Sequence, residues 1–381
     1  MTIERCKKCT LPITWETLYF NDDGICNLCQ NWDIKDIKIN WEQREKDFID
    51  IINDIKEKNS NYDCIVPFSG GKDSTYTLWA AVKKYNLRCL VVSFDHWFLR
   101  PITIENRKKT FQKLGVDVIT FTPNWRVVKK LMLESLIRKG DFCWHCHSGV
   151  FAYPMQIAVK FKIPLVLWGE SGGEYSAYSK YDEIEETDEW KFNRSTILGM
   201  RAEDMAGFID EDIRDLGPYM YPSKNEIKDA DIRSLPLGNF KSWNVQEHVK
   251  VIKKELDWKE DTMESAYPGE TYEKIECMFA GVRDYIKYLK RNFSRMTHLT
   301  AMDIRYGRLT RDEAIDYIEK YEHIKPRSLD LFLKILDISE DEFNNIVSMH
   351  LIPPAERIDP NSLPYGKKMW DQDLWFSYLD K

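Results

Sequence analysis

The sequence has no apolar run long enough to cross a membrane, and its first residues lack the apolar core of a secretory signal peptide. Internal repeats, low-complexity tracts and a heptad pattern are also missing. Positive charge is not in excess, because 55 Lys and Arg face 62 Asp and Glu, and the net charge of -7 disfavours a nucleic-acid binder that works through bulk charge. We therefore expect a cytoplasmic protein that has no membrane partner and for which nucleic acid is a disfavoured binding partner on grounds of charge.

What the sequence does contain is enough apolar material for real cores, 43% of 381 residues, and a length that predicts two or three domains. It also has nine cysteines. Without an export signal, such cysteines are more typical of thiolates and metal ligands than of disulfides.

Four of these cysteines form two early Cys-x2-Cys pairs, a spacing that suits one tetrahedral Zn²⁺ held by four thiolates: Cys6, Cys9, Cys26 and Cys29. A four-cysteine site has no open position, so its role would be structural. We predict a zinc-ribbon-like segment over residues 1–32, folded largely by the metal. Two unrelated reduced pairs are the alternative.

A six-residue loop, Ser69-Gly70-Gly71-Lys72-Asp73-Ser74, separates a short apolar strand (63–68) from a helix (75–85). A strand that runs through a glycine turn into a helix N-terminus predicts an anion site, because free N–H groups and the helix dipole face the anion. Asp73 is unexpected in a phosphate cradle unless Mg²⁺ is also bound, and it departs from the common P-loop pattern. The alternative is a turn that only connects two elements.

Four more apolar segments alternate with helical ones, and this alternation predicts a parallel, doubly wound α/β sheet over a domain of residues 33–257. The further strands are predicted at 87–94, 116–121, 163–168 and 231–237. Ligands bind at the carboxyl ends of such strands, where the glycine loop falls.

A second glycine-rich turn, Gly169-Glu170-Ser171-Gly172-Gly173-Glu174, follows the fourth strand and is expected beside the first loop. Glu170 and, less favoured, Glu174 are candidates for Mg²⁺ or substrate, or else are solvated carboxylates. Residues 175–230 are expected to be irregular. A mainly helical C-terminal region, 258–381, is predicted, with one helix over 277–295 and capping boxes at Thr310–Glu313 and Ser339–Glu342.

The six-residue loop resembles the SGGxDS loop of the PP-loop ATP pyrophosphatases. That resemblance implies an ATP site at Ser69, Gly70, Gly71, Lys72, Asp73 and Ser74, with Lys72, Asp73 and Glu170 in catalysis. Cys143-x2-Cys146 is similar in placement to a pair in the tRNA-thiolating members of the superfamily, which hold a [4Fe-4S] cluster on three cysteines. The resemblance would make Cys277 the third ligand; a zinc site using His145 or His147, or metal-free thiols, remain alternatives.

Nearly the whole chain resembles the N-acetyl sugar amidotransferases of the PseA/WbpG type. The resemblance is carried by the loop, the cysteine pairs, Trp168-Gly169-Glu170, Gly281-Val-Arg283-Asp-Tyr-Ile-Lys287-Tyr and the segment 297–313. It implies conversion of a sugar acetamido group into an acetamidino group in lipopolysaccharide O-antigen or pseudaminic acid biosynthesis. ATP and Mg²⁺ would activate the amide, and a partner glutaminase would supply ammonia.

Three basic residues of the predicted 277–295 helix are candidates to hold the acid or phosphate of the sugar donor, or else form an exposed basic face: Arg283, Lys287 and Arg291. Two rival functions share the loop. A tRNA thiolase would also use the three cysteines, and a nucleotide-sensing scaffold would bind ATP without chemistry. No His lies in a motif that requires a general base.

Overall fold

The computed structural model describes residues 3–170, 184 and 186–367. The chain divides into two compact units. The first contains Met1–Asp33, Ser135–Phe142 and Asp261–Lys381, and the second contains Ile34–Glu134 and Cys143–Glu260. The predicted domain boundaries after residues 32 and 257 stay a prediction.

The second unit is built on a five-stranded parallel sheet with the order β3-β2-β1-β4-β5. Its strands are β1 Cys64–Pro67, β2 Cys89–Phe94, β3 Asp117–Phe121, β4 Leu165–Trp168 and β5 Arg233–Pro236. The strand order reverses between β1 and β4, so both halves of the sheet wind outward from the centre. The predicted doubly wound α/β fold is confirmed.

Helices connect these strands, as neighbouring parallel strands require. α6 packs against β1, β2 and β4, whereas α3 packs against β1 and α10. The helices up to the end of this sheet unit are α1 Asn27–Lys38, α2 Trp41–Glu57, α3 Lys72–Trp79, α4 Pro101–Leu114, α5 Trp125–Lys139, α6 Trp144–Phe161, α7 Glu189–Lys191, α8 Ala202–Ile209, α9 Lys224–Asp229 and α10 Val245–Leu256.

The core beneath α6 explains why the apolar segments form strands. Ile65, Leu90 and Val166 project from neighbouring strands and pack with Met155 and Ala158 of α6, all with 3% exposure or less. Burial of aliphatic side chains at about 25 cal/mol per Å² is the main force that holds such a layer on the sheet. The strands therefore meet in a fixed register, and their carboxyl ends lie at one edge.

The expectation that residues 175–230 are irregular is wrong for the part that the structure describes. Besides α7, α8 and α9, this part contains a short π-helix at Phe192–Thr196 and a 3₁₀ helix at Ile213–Tyr219. These elements are three to eight residues long and are held by caps, such as the reciprocal bonds of Ser223 with Glu226. A segment so short does not show a readable apolar period.

The C-terminal part of the first unit is helical, as predicted, with α11 Ala280–Arg291, α12 Arg295–Arg305, α13 Arg311–Tyr321, α14 Ser328–Leu336 and α15 Glu340–Ser348. The single predicted helix over 277–295 is wrong, because Asn292 adopts φ 55° and ends α11. Both predicted capping boxes, Thr310–Glu313 and Ser339–Glu342, are formed. Among the described residues, none of the helices combines the length and apolarity needed to span a bilayer.

Candidate functional site

The Ser69–Ser74 loop follows β1 directly at the carboxyl edge of the sheet, and α3 begins within it at Lys72. Gly70 has φ +93°, a conformation that residues with a side chain rarely adopt. A Cβ atom there would lie 2.7 Å from Cγ2 of Thr103 and 2.8 Å from Cγ of Arg107. The turn therefore needs glycine at this position because of both backbone conformation and close packing.

The loop gathers backbone donors at the N-terminus of α3. Ser74 Oγ accepts from the N–H groups of Ser69 and Gly70, both at 3.3 Å, and Ser69 Oγ accepts from the N–H of Gly71 at 3.2 Å. Gly71 is the N-cap residue and has no side chain with which to cap the helix. Donors converging at a helix N-terminus form an anion-binding arrangement.

Lys72 and Asp73 form a tight pair in this loop. Lys72 Nζ lies 2.6 Å from Asp73 Oδ2, and their side chains are only 5% and 16% exposed. The other carboxylate oxygen, Oδ1, accepts a hydrogen bond of 3.1 Å from the indole N–H of Trp243. Asp73 is thereby oriented from two sides, by a neighbour in sequence and by a residue just before α10.

A ring stack supports Trp243. The rings of Tyr76 and His248 lie parallel with centroids 3.5 Å apart, and Trp243 meets His248 at 4.5 Å in an edge-on contact. Burial lowers the pKa of His248 to about 3. The imidazole is therefore neutral at neutral pH and binds a proton too weakly to serve as a general base. A second indole, that of Trp258, donates to the carbonyl oxygen of Gly70 at 3.2 Å.

The second glycine turn begins beside the first loop, as predicted. β4 pairs with β1, and a Cβ atom at Gly169 would lie 3.5 Å from Cβ of Asp73. The carbonyl oxygen of Gly169 accepts from the N–H of Gly238 at 3.0 Å. Glu170 follows directly and is half-buried. Glu174 lies outside the described residues, and the catalytic role of Glu170 stays a prediction.

The four N-terminal cysteines come together as the spacing predicts. All four are 0% exposed, and their sulfur atoms lie within 4.8 Å of one another. Cys9 and Cys26 Sγ are 3.6 Å apart, close to the separation of about 3.8 Å that tetrahedral zinc–thiolate geometry requires. The donor set and its spacing thus fit a closed four-thiolate metal site.

Backbone N–H groups prepare these sulfurs for a metal. Cys6 Sγ accepts from the N–H groups of Lys8, Cys9 and Cys26 at 3.3–3.5 Å. The pKa of the Cys6 thiol is lowered, first by hydrogen bonds with the thiols of Cys26 and Cys29, then by that with Cys9. Hydrogen bonds within the cluster and burial raise the pKa of the Cys26 and Cys29 thiols. The geometry of the four sulfurs, and not a shared shift of their pKa values, is therefore what fits a metal ion.

The other candidate cysteines have different surroundings. Cys143 is the buried N-cap of α6, and Cys146 lies half-buried in its first turn. Cys277 belongs to the first unit, and burial raises the pKa of its thiol to about 11. A three-cysteine cluster stays a prediction. Cys64 and Cys89 face each other in the β1–β2 register and are buried.

The three basic residues predicted for substrate have partners within their own unit. Arg291 Nη2 lies 2.7 Å from Glu16 Oε1, and Lys287 Nζ lies 4.1 Å from the ring centroid of Trp15. Arg283 Nε lies 3.6 Å from Asp141 Oδ2. Lys287 and Arg291 therefore do not form an exposed basic face, because both contact residues of the N-terminal cysteine-bearing segment. Their binding of substrate stays a prediction.

Several residues of the loop's surroundings escaped the sequence analysis. Trp243, Trp258 and Arg107 belong to no motif, and they lie far along the chain from the residues that they contact. In the sequence, a tryptophan whose indole N–H donates a hydrogen bond cannot be distinguished from a tryptophan that only packs in the core. Only the fold shows that Trp243 and Trp258 donate hydrogen bonds to this loop.

Comparison with known proteins identifies the C-terminal region. Residues 260–371 match the family described as the C-terminal domain of WbpG-like lipopolysaccharide biosynthesis proteins. This region is therefore similar to the C-terminal domain of WbpG-like proteins. The resemblance to WbpG-type proteins predicted from the sequence is confirmed, and lipopolysaccharide biosynthesis is the function class to which this family is assigned.

Two other proteins are similar to most of this chain. An uncharacterized protein, MJ1599 of Methanocaldococcus jannaschii, is 22% identical over 298 residues, which cover 76% of this chain and 87% of the relative. The structure of U34-tRNA thiolase NcsA from Methanococcus maripaludis with its [4Fe-4S] cluster is 14% identical. That match covers 86% of this chain and 91% of the thiolase, with a TM-score of 0.31.

Proposed function

We propose that this protein is an ATP-dependent amidotransferase that converts the acetamido group of a sugar into an acetamidino group. The observation that carries the proposal is the WbpG-like C-terminal domain, on a chain whose Ser69–Ser74 loop gathers backbone donors at the edge of a parallel sheet. The first feature favours surface-sugar chemistry, and the second favours a polyphosphate.

The proposed reaction has two steps. The amide oxygen attacks the α-phosphorus of ATP, the bond to the β-phosphate oxygen breaks, and pyrophosphate leaves while the amide loses its N–H proton. Ammonia then adds to the carbon of the resulting O-adenylyl imidate, and AMP leaves with the former amide oxygen. The product is an amidine, with AMP and pyrophosphate as by-products. Activation is required because an amide oxygen is otherwise a poor leaving group.

Residues of the loop have direct roles in this scheme. The N–H groups of Ser69, Gly70 and Gly71 donate to the hydroxyls of Ser74 and Ser69 in this structure, and they would exchange these bonds for bonds to the pyrophosphate oxygens. Lys72 would neutralise the charge that develops as pyrophosphate leaves. Trp243 would keep the carboxylate of Asp73 in one orientation while the nucleotide binds.

Two metals belong to the proposal. Carboxylate oxygen is the ligand type that Mg²⁺ prefers, so Asp73, with Glu170 as a second candidate, would hold it. Bound there, Mg²⁺ supplies charge neutralisation for the phosphates. Cys6, Cys9, Cys26 and Cys29 would hold Zn²⁺ in a structural site, because four thiolates leave no position open for chemistry.

Ammonia and the sugar complete the scheme. We expect ammonia from a separate glutaminase subunit, since free ammonia is mostly protonated at neutral pH. The substrate would be an N-acetylated, nucleotide-linked sugar of the O-antigen or pseudaminic acid type, processed in the cytoplasm. Arg283, Lys287 and Arg291 are the candidates to bind its acidic or phosphate groups.

The test is a product analysis by high-resolution mass spectrometry. The full chain is incubated with ATP, Mg²⁺, heavy-nitrogen ammonium and an N-acetylated nucleotide sugar. We expect one heavy nitrogen in the sugar in place of oxygen, together with AMP and pyrophosphate. A parallel arm offers tRNA and a sulfur donor. Thiolated tRNA would instead establish the rival thiolase, and nucleotide binding without AMP formation would establish the scaffold.

A further inference from the structure

Arg107 is a buried cation that lies against the phosphate-binding loop. It belongs to α4 and is 8% exposed. A Cβ atom at Gly70 would lie 2.8 Å from Cγ and 3.2 Å from Cδ of Arg107, so the aliphatic stem of the arginine covers that glycine. The aliphatic stem of Arg107 therefore packs directly against the loop.

The surroundings of the guanidinium group do not neutralise it. Within residues 3–170, 184 and 186–367, the group donates no hydrogen bond and forms no ion pair. Asp95, which directly follows β2, is the charge that acts on it, and burial lowers the pKa of Arg107 despite that carboxylate. By contrast, the equally enclosed Arg295 lies 2.8 Å from its partner Asp284.

A largely enclosed guanidinium without a hydrogen-bonded anion is poorly compensated, because it has lost most of its contact with water and has only the charge of Asp95, with which it makes no hydrogen bond, in return. Such a group is compensated when a ligand brings the anion. Here the neighbouring features are those of an anion site. β1 and β2 are adjacent, so the donor-rich loop after β1 and the end of β2 near Asp95 lie at one edge.

We propose that Arg107 is a phosphate ligand, which binds the pyrophosphate part of the nucleotide held by the Ser69–Ser74 loop. This inference rests on the proposed function and adds a residue that lies outside the loop motif. The guanidinium fork can give two parallel hydrogen bonds to phosphate oxygens, a geometry that the ammonium of Lys72 cannot provide. Arg107 would thus select di- and triphosphates over AMP.

The test compares binding of inorganic pyrophosphate and ATP to the full chain by titration calorimetry. We expect Arg107→Met to weaken both at least tenfold and Arg107→Lys to recover only part of the loss. AMP should change less than ATP. Lys108→Met is the matched control, because it removes the same charge from an exposed position of α4. Its pyrophosphate affinity should stay within twofold of wild type.

A second measurement needs no variant. In a crystal of wild-type protein with pyrophosphate, a guanidinium nitrogen of Arg107 should lie within about 3 Å of a phosphate oxygen. A separation of more than about 4 Å, or unchanged pyrophosphate affinity in a folded Arg107→Met, would overturn the role of Arg107 alone. If wild-type protein binds neither pyrophosphate nor ATP, the proposed function fails with it.

Discussion

Asp73 is held in place by two side chains of different kinds, and this makes it the residue on which catalysis should depend most. Lys72 supplies charge at 2.6 Å, and Trp243 supplies a directed N–H at 3.1 Å. We expect Asp73→Asn to reduce AMP formation at least about a hundredfold, because an amide replaces the carboxylate that would hold Mg²⁺. Thermal stability should also fall, because the buried ammonium of Lys72 loses its carboxylate partner, so rates are compared below the melting temperature of the variant.

The control for this substitution is Asp50→Asn on the exposed side of α2. It makes the same chemical change far from the loop in sequence and should leave AMP formation at the wild-type level. Rates are compared by following AMP and pyrophosphate at saturating Mg²⁺. Full activity in Asp73→Asn would remove Asp73 from the mechanism.

Gly70 provides a test of the loop's backbone. Gly70→Ala forces a side chain into φ +93° and against Thr103 and Arg107, so unfolding free energy should fall by about 1–3 kcal/mol, measured by urea denaturation. Gly207→Ala is the matched control. It lies in α8, where a Cβ atom meets nothing within 4 Å, and Ala should be favoured there by about 0.5–1 kcal/mol. Equal changes in unfolding free energy for Gly70→Ala and Gly207→Ala would contradict the backbone strain expected for a side chain at position 70.

The residues that the sequence revealed and those that it concealed differ in chain distance. Ser69 to Ser74 are contiguous, so their shared role can be recognised from spacing and residue type. Trp243 contacts Asp73 across 170 positions of sequence, and Arg107 reaches Gly70 through the packing of α4. Neither partnership leaves a local pattern, because any buried Trp or helical Arg would look the same in sequence.

At the scale of elements, strands and caps were predictable and helix breaks were not. All five strands begin and end within two residues of the predicted ends. Four of them are buried parallel strands, which form continuous apolar runs, whereas β3 is largely exposed. The sequence does not reveal the break after α11, because Asn also occurs on polar helix faces and the residue type alone does not show its left-handed conformation. The short helices of residues 186–229 lacked a readable period.

The cysteine segment and the helices of the WbpG-like domain are connected elements of one unit. Arg5 donates to Thr297 Oγ1 at 3.1 Å, and the Trp15 ring stacks on Phe293 at 5.2 Å. Thr14 Oγ1 donates to the carbonyl oxygen of Arg291 at 2.7 Å. A segment of this size has little core of its own, so its conformation, and with it these contacts, should depend on the metal.

Metal removal therefore should affect more than the cysteine segment. A strong zinc chelator is expected to release one Zn²⁺ per chain, lower the melting temperature and expose four thiols to a thiol reagent. Zn²⁺ but not Mg²⁺ should restore the melting temperature. Cys64 and Cys89, buried in the sheet, serve as the internal control and should stay unreactive below the melting transition. Release of no metal, with unchanged melting, would contradict the structural role.

At the scale of the whole molecule, the two features behind the proposed function belong to different units. The loop lies in the sheet unit, whereas residues 260–371 fall almost entirely in the first unit. The doubly wound fold could be predicted because alternation of strands and helices is visible along the chain. The surroundings of Lys287 could not be predicted, because they are provided by Trp15 and Phe293, which lie 272 and six positions away in the sequence.

Lys287 makes the stability of the whole chain dependent on pH. Burial lowers its pKa from 10.5 to about 8; Glu16 opposes the shift, and Arg295 adds to it. Trp15 and Phe293 lie 4.1 and 4.6 Å from the ammonium and favour its charged form. Because the folded pKa is the lower one, the unfolded chain binds more protons between these values. The destabilisation is complete below about pH 8 and disappears as the pH approaches 10.5.

Lys287→Met should therefore gain stability over wild type at neutral pH and lose that gain in base. The difference in unfolding free energy between variant and wild type should fall by roughly 2 kcal/mol from pH 7 to pH 10, measured by urea denaturation. Groups other than Lys287 titrate in both proteins and cancel in the difference. Lys254→Met, at an exposed site of α10, should show a difference that does not change with pH. A constant difference for Lys287→Met as well would mean that the two rings compensate fully for the lost hydration of the ammonium.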